Sequence, residues 1–221
     1  NAETDPLQLR HETHYGRVVR APANRPLHVY AMFAEAVGRA ADKVAAVDGE
    51  TRTTYAALHD LVERSAGRMQ ALGVNPGDRV ALVIDNRTDF LAAMLATARL
   101  GAICVPMNIR QRLPETEYAL NDCGAVVLVH EASVADQIPS NAQCPALRHC
   151  IVVDDEHHLW DGDWPAPGPL PGRAEARRAL GLDPDTLVVA SFGSAAASKM
   201  PDTILAAWRR LARAQAPRRL N

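Results

Sequence analysis

Residues Thr54–Met107 read TYAALHDLVERSAGRMQALGVNPGDRVALVIDNRTDFLAAMLATARLGAICVPM, and this stretch decides the fold class. Thr54 stands where a helix N-cap belongs, and Leu58, Leu61, Val62, Met69 and Leu72 recur at helical spacing. Gly73 can take the left-handed conformation that closes such a helix. NPGD is then a turn, and RVALVID is an apolar run of strand length, apolar on both faces as parallel strands are. FLAAMLATARLG returns to helix, ending at Gly101, and AICVPM is a second short buried strand.

The alternation continues toward the C-terminus. Pro114 and ETEYALNDCG suit a helix that opens with Pro and acids and closes on Gly124. AVVLVH follows as a strand, ASVADQI as a short helix and HCIVVDD as a further strand. This order implies an α/β domain, with a largely parallel sheet flanked by helices and joined by right-handed crossovers. Upstream, VYAMFAEAVGRAA is an amphipathic segment and VAAVDG a short apolar piece. Residues 1–26 are polar and aperiodic and read as a loose N-terminal arm.

The remaining boundaries come from composition. EHHLWDGDWPAPGPLPG, residues 156–172, holds two Trp, four Pro and three Gly without a period, and reads as a linker between an α/β subdomain at 27–155 and a C-terminal segment at 173–221. That last segment has a helix (RAEARRALGL), a strand (LVVASF), a small-residue loop and a helix (TILAAWRRLARAQ), a short Rossmann-like αβα unit.

Composition also narrows the function classes. The 221 residues are 48% hydrophobic with a net charge of -2, as in soluble globular proteins, and show no basic stripe for nucleic acid. Four cysteines (Cys104, Cys123, Cys144, Cys150) are scattered, with no CxxC pair and no histidine at ligand spacing, so neither a zinc site nor a disulfide framework is indicated. Reduced thiols point to a cytoplasmic protein. No apolar run reaches the roughly 18 residues of a membrane span. The first residue is not Met, which suggests a fragment.

The pieces TYAAL, GVNPGDRVAL, LGAICVPMN and YALNDCGAVVLV, in that order, resemble the N-terminal part of AMP-forming acyl-CoA synthetases, the adenylate-forming ligases. The resemblance runs from about residue 25 to 154. It implies an enzyme that activates a small-molecule carboxylate with ATP and Mg2+ to an acyl-adenylate, then passes the acyl group to coenzyme A. Its Thr-Glu and Thr-Gly-Asp elements and its C-terminal-domain lysine lie downstream in the family and are not seen here, so no turnover is expected from the chain alone.

The family's phosphate loop, Gly-Thr-Thr-Gly-x-Pro-Lys, can be laid without a gap on Gly193 to Lys199, which makes Gly193, Ser194, Ser198 and Lys199 the phosphate or nucleotide candidates. Three alanines between them supply neither hydroxyls nor glycine's left-handed freedom. A Walker motif fits the same loop poorly, since Met200 replaces the magnesium-binding hydroxyl. Residues 173–217 also resemble the start of the donor domain of retaining two-Rossmann-domain glycosyltransferases, with Lys199 where that family meets a diphosphate. A glycosyltransferase fragment and a non-catalytic scaffold or fusion are therefore the alternatives, beside an ordinary turn with an exposed lysine. No catalytic or metal-binding residue is assigned. Asn86, Asn108, Arg110 and Arg112 fall near strand ends, where α/β proteins place ligands, or else cap and turn. Asp60, Asp78 and Asp89 read as turn and helix-face residues, and the eight histidines offer neither triad order nor metal spacing.

Overall fold

Two antiparallel hairpins and one parallel sheet make up the strands of this computed structural model, which describes residues 9–14, 17–23, 25–26, 28–169, 174–175 and 178. β1 (Leu9–His14) and β2 (Arg17–Pro22) pair antiparallel from Leu9↔Pro22 to His14↔Arg17. Residues 9–14 and 17–22 of the segment read as a loose arm thus form a hairpin tied by cross-strand backbone bonds, with Val18 and Val19 exposed. This hairpin belongs to a compact unit distinct from the body that runs from Pro26 to Thr186.

In that body, α1 (Val29–Ala40) starts where His28 accepts the Ala31 N–H through Nδ1 at 3.1 Å, and it buries Tyr30 and Phe33. The apolar piece after it forms β3 (Val44–Asp48), which turns at Gly49 (φ 55°) into β4 (Thr51–Thr54), a strand the sequence reading does not contain. α2 (Tyr55–Ala71) is capped by Thr54 Oγ1, which accepts the Ala57 N–H at 3.2 Å. β5 (Arg79–Val83), α3 (Thr88–Arg99), β6 (Ile103–Pro106), α4 (Leu113–Cys123), β7 (Val127–Glu131) and β8 (His149–Val153) then follow as the alternation predicts.

The sheet is all-parallel in the order β6-β5-β7-β8. α1, α2 and α3 cover one face, where Val62, Met69, Val80, Leu82, Ala92 and Val129 pack together. α4 covers the other with Ala81, Val83, Leu120 and Leu128. β5 thus buries alternate residues on both faces, the physical reason its run after Arg79 lacks polar positions. Burial of each large side chain contributes about 1.5–3 kcal/mol. Between β7 and β8 the expected helix is a 3-10 helix, Ala132–Gln137, broken at Val134 (φ -114°, ψ 17°); Val134 is its one buried side chain, too little apolar surface to hold an α-helical face.

Arg79 ties β5 to the end of α4. Its Nε–H and Nη2–H donate to the carbonyls of Cys123 and Gly124 at 2.7 Å each, and Nη1–H donates to Gly77 at 3.2 Å. The left-handed C-cap Gly124 (φ 62°) is where orphan carbonyls of a helix need donors. Arg79→Met should lower unfolding stability by about 1.5–3 kcal/mol, the range for hydrogen bonds to a charged group, measured by urea denaturation.

The 156–169 part of the Pro/Gly-rich segment lies on the α2–α3 side of the sheet. Leu159 is fully buried in that core and Trp160 packs against it. Pro and Gly prevent regular structure, but they do not prevent a non-repetitive run of chain from burying Leu159 and half-burying its two tryptophans.

Candidate functional site

The sheet's topology points to its carboxyl edge. The chain steps from β5 to β6 in one direction and from β6 back across β5 to β7 in the other, so the switch point lies between the ends of β5 and β7. That crevice is bridged from within. The Glu131 carboxylate accepts the Asp85 backbone N–H at 2.8 Å and the Ser133 hydroxyl at 3.2 Å. With Asp85 exposed beside it, this end of the sheet presents acidity to solvent and disfavours a phosphate.

The polar candidates near strand ends are found there, but each backbone bond they make is local. Asn86 donates its backbone N–H to Asp85. The Asn108 side chain accepts the Arg110 N–H at 2.9 Å, an Asx turn. Arg112 is the N-cap of α4, and Glu115 accepts its backbone N–H at 2.9 Å. The structure gives Asn108 and Arg112 turn and cap roles. The guanidinium of Arg110 is exposed.

The densest polar cluster is one the sequence did not single out. Asp89, whose side chain is 2% exposed in the first turn of α3, receives Arg87 Nε–H at 3.0 Å and His158 Nδ1 at 3.1 Å. Arg87 also donates to the Asp154 carbonyl at 2.7 Å and reaches Asp155 at 3.4 Å. Burial works against the Arg87 charge, yet Asp89, Glu131 and Asp155 raise its proton affinity above the ordinary guanidinium value. The cluster joins the start of α3, the end of β8 and the 154–161 turn, so its chemistry is that of a clamp. Asp89 is therefore not a helix-face residue on the surface but a buried anion at a helix N-terminus.

Along α2 the same segment is held by Arg68, whose Nη1–H donates to the carbonyls of His158 and Leu159 at 3.2 and 3.3 Å, with its guanidinium 5.4 Å from the Trp164 ring centroid. Burial lowers the Arg68 pKa, offset by Asp161. Gln70 Oε1 accepts the Gly168 N–H at 2.8 Å and Arg99 donates to the Gly168 carbonyl at 3.0 Å. Gly67 is buried directly beneath the Pro165 carbonyl. The sequence signal for this contact was the glycine itself, in the middle of a strong helical pattern.

Two cavities of about 350 Å³ flank this segment, one lined by Gln70, Asn75 and Arg99, the other by Arg68, Asp154, His157 and Asp161. In the second, backbone N–H groups of Glu156 and His157 and the His157 ring all bond to Asp154 Oδ1, so the carboxylate is held below its usual range. The hydrogen bond and charge of Asp154 raise the His157 pKa. The folded His157 pKa exceeds the unfolded value, so its contribution is fully present below about pH 6.5 and is lost as pH rises through the folded pKa. Asp154 has the opposite sign: its contribution is present above about pH 4 and is lost as pH falls through the folded pKa. An NMR titration should place the His157 midpoint above the free-imidazole value, and Asp154→Asn should return it.

No group of three or more His, Cys, Asp or Glu able to hold a metal occurs among the described residues. No helix among them is long and apolar enough to cross a membrane. Gly193, Ser194, Ser198 and Lys199 lie outside the described residues.

The sequence profile of the AMP-binding enzyme family matches residues 33–195. Feruloyl-CoA synthase of an Amycolatopsis species is 39% identical over 112 residues, 49% of this chain and 23% of that protein. The long-chain-fatty-acid–CoA ligase FadD13 of Mycobacterium tuberculosis is 38% identical over 99 residues, 43% and 20% of the two chains. The crystal structure of the N-terminal domain of FACL13 from the same organism superposes with a TM-score of 0.58 at 29% identity, covering 66% of this chain and 39% of that one. The anthranilate CoA ligase AuaEII, solved with anthranoyl-AMP, superposes with a TM-score of 0.56 at 25% identity, over 59% and 26%. The chain thus spans between a fifth and a quarter of the length of these curated relatives.

The family match crosses the Pro/Gly-rich segment and continues to Ala195. It therefore takes in much of the region likened to a glycosyltransferase donor domain, a resemblance that gains no support. A profile match over residues 33–195, with the fold of acyl-CoA ligase N-terminal domains beneath it, makes this chain a member of the AMP-binding enzyme family.

Proposed function

We propose that this chain is the N-terminal portion of an AMP-forming acyl-CoA ligase, acting on a small-molecule carboxylate with ATP, Mg2+ and coenzyme A in the cytoplasm. The observation that supports this best is the agreement of fold and sequence with a ligase N-terminal domain, TM-score 0.58 at 29% identity. The parallel sheet is the scaffold, the 156–172 segment is the connection, and residues 173–221 bring the phosphate loop. In that loop the Gly193 and Ser194 backbone, the Ser198 hydroxyl and the Lys199 ammonium are the groups that would meet ATP phosphates. ATP supplies the adenylyl group, and this chain's share is positioning and positive charge. Ala195, Ala196 and Ala197 leave the loop short of hydroxyl donors, which agrees with no turnover by the chain alone.

The test is a chimera in which residues 33–199 replace the matching segment of FadD13, assayed for acyl-CoA formation with a panel of carboxylates. Thioester formation that falls at least tenfold with Lys199→Ala supports the proposal. A chimera that folds and stays inactive even after Ala195 and Ala196 are restored to the family's Thr and Gly would overturn it in favour of a non-catalytic scaffold.

A further inference from the structure

Three of the four cysteines gather on one face of the sheet, and none has a part in the reading above. Cys144 is 2% exposed and belongs to the packed cluster under α4, with Leu120, Leu128 and Leu147. Cys123, at the end of α4, packs against the same cluster. Cys150 stands in register with Leu128 across the β7–β8 pair, so its side chain is on that face too, and it is the exposed member. The neighbouring residues fit this alternation, since Ile151 pairs with Val129 and both lie in the opposite core. The Leu147 N–H bonds to the Cys144 carbonyl at 3.0 Å, a turn that leads directly into β8, where Cys150 is the second residue. Cys104 is the exception: it is in register with Val80 and packs in the opposite core.

We propose that Cys150 and Cys144 form a thiol–disulfide exchange site for low-molecular-weight disulfides of the glutathione class. The Cys150 thiolate attacks one sulfur of the small disulfide, forming a mixed disulfide and releasing one small thiol. The Cys144 thiolate then attacks the Cys150 sulfur and releases the second small thiol. Both protein thiols lose a proton, and the two electrons leave on the small disulfide, which is reduced. The product closes residues 144–150 into a ring that staples the edge strand β8 to the turn before it. Burial raises both thiols' pKa, and the Cys144 thiol raises that of Cys150 further, so exchange speeds up with pH in the mildly alkaline range.

The experiment treats the whole reduced chain with oxidised glutathione at mildly alkaline pH, followed by alkylation and peptide mass mapping without reductant. The expected result is a Cys144–Cys150 linked peptide with two hydrogens lost, reversed by dithiothreitol, with Cys104 alkylated only in denaturant. Cys150→Ser should abolish the linkage and Cys123→Ser should leave it. A stable glutathione adduct on Cys150 with Cys144 still free, a Cys123–Cys144 linkage, or no oxidation of the folded chain would each overturn the proposal.

Discussion

Asp89→Ala is expected to destabilise the fold by about 3–5 kcal/mol, the cost of removing one partner of a buried ion pair and leaving the other. For a chain of this length that is a melting temperature lower by roughly 6–20 °C in thermal denaturation followed by circular dichroism. The effect is large because one carboxylate, 2% exposed, answers both Arg87 and His158. Its loss strands Arg87, whose Nη2–H remains on the Asp154 carbonyl, and it frees the 154–161 turn from α3. It also removes the only acid in the first turn of that helix. A double variant, Arg87→Met with Asp89→Leu, should recover part of the loss, since an apolar pair carries no stranded charge. If Asp89→Ala unfolds within a degree of the parent, the cluster is not a clamp.

Gly67→Ala is expected to cost about 1–3 kcal/mol, in the overpacking range. A Cβ at this position would collide with the backbone carbonyl of Pro165, which cannot swing aside as a side chain could. Either α2 shifts or the segment lifts, and lifting separates Arg68 from Trp164 and Gln70 from Gly168. Trp164 fluorescence should change along with stability. Gly38→Ala is the control: it too lies in a helix, a Cβ there meets nothing within 4 Å, and the substitution should stabilise by roughly 0.5–1 kcal/mol. Equal effects at Gly67 and Gly38 would show that only helix propensity is at stake.

Both substitutions fall on a contact that the local sequence describes as a linker. Residues 156–169 lack periodicity, and periodicity is all that a single sequence offers for recognising a buried segment. Their burial is decided by partners 69 to 98 positions away: His158 with Asp89, Arg99 with Gly168, Gln70 with Gly168. The carboxyl edge teaches a related lesson. Asn108 and Arg112 could be placed at strand ends from the sequence, but only the register of β5 against β7 brings Glu131 to the Asp85 N–H and seals the switch point. The first hairpin was illegible for another reason: Arg17–Pro22 carries no alternating buried face, and cross-strand backbone bonds rather than apolar residues define its pairing.

By itself the sequence determined the parallel α/β class, the helices α2 to α4, the strands β5 to β8 and the family. These follow from local rules: helical spacing from Leu58 to Leu72, glycine at the left-handed closures Gly73 and Gly124, and strands apolar on both faces. Only the tertiary structure decided that Asp89 is a buried anion, that Gly67 admits the Pro165 carbonyl and that Cys144 and Cys150 share a face. Each of these depends on residues distant in sequence or on strand register, which the chain acquires only when the sheet closes over its core.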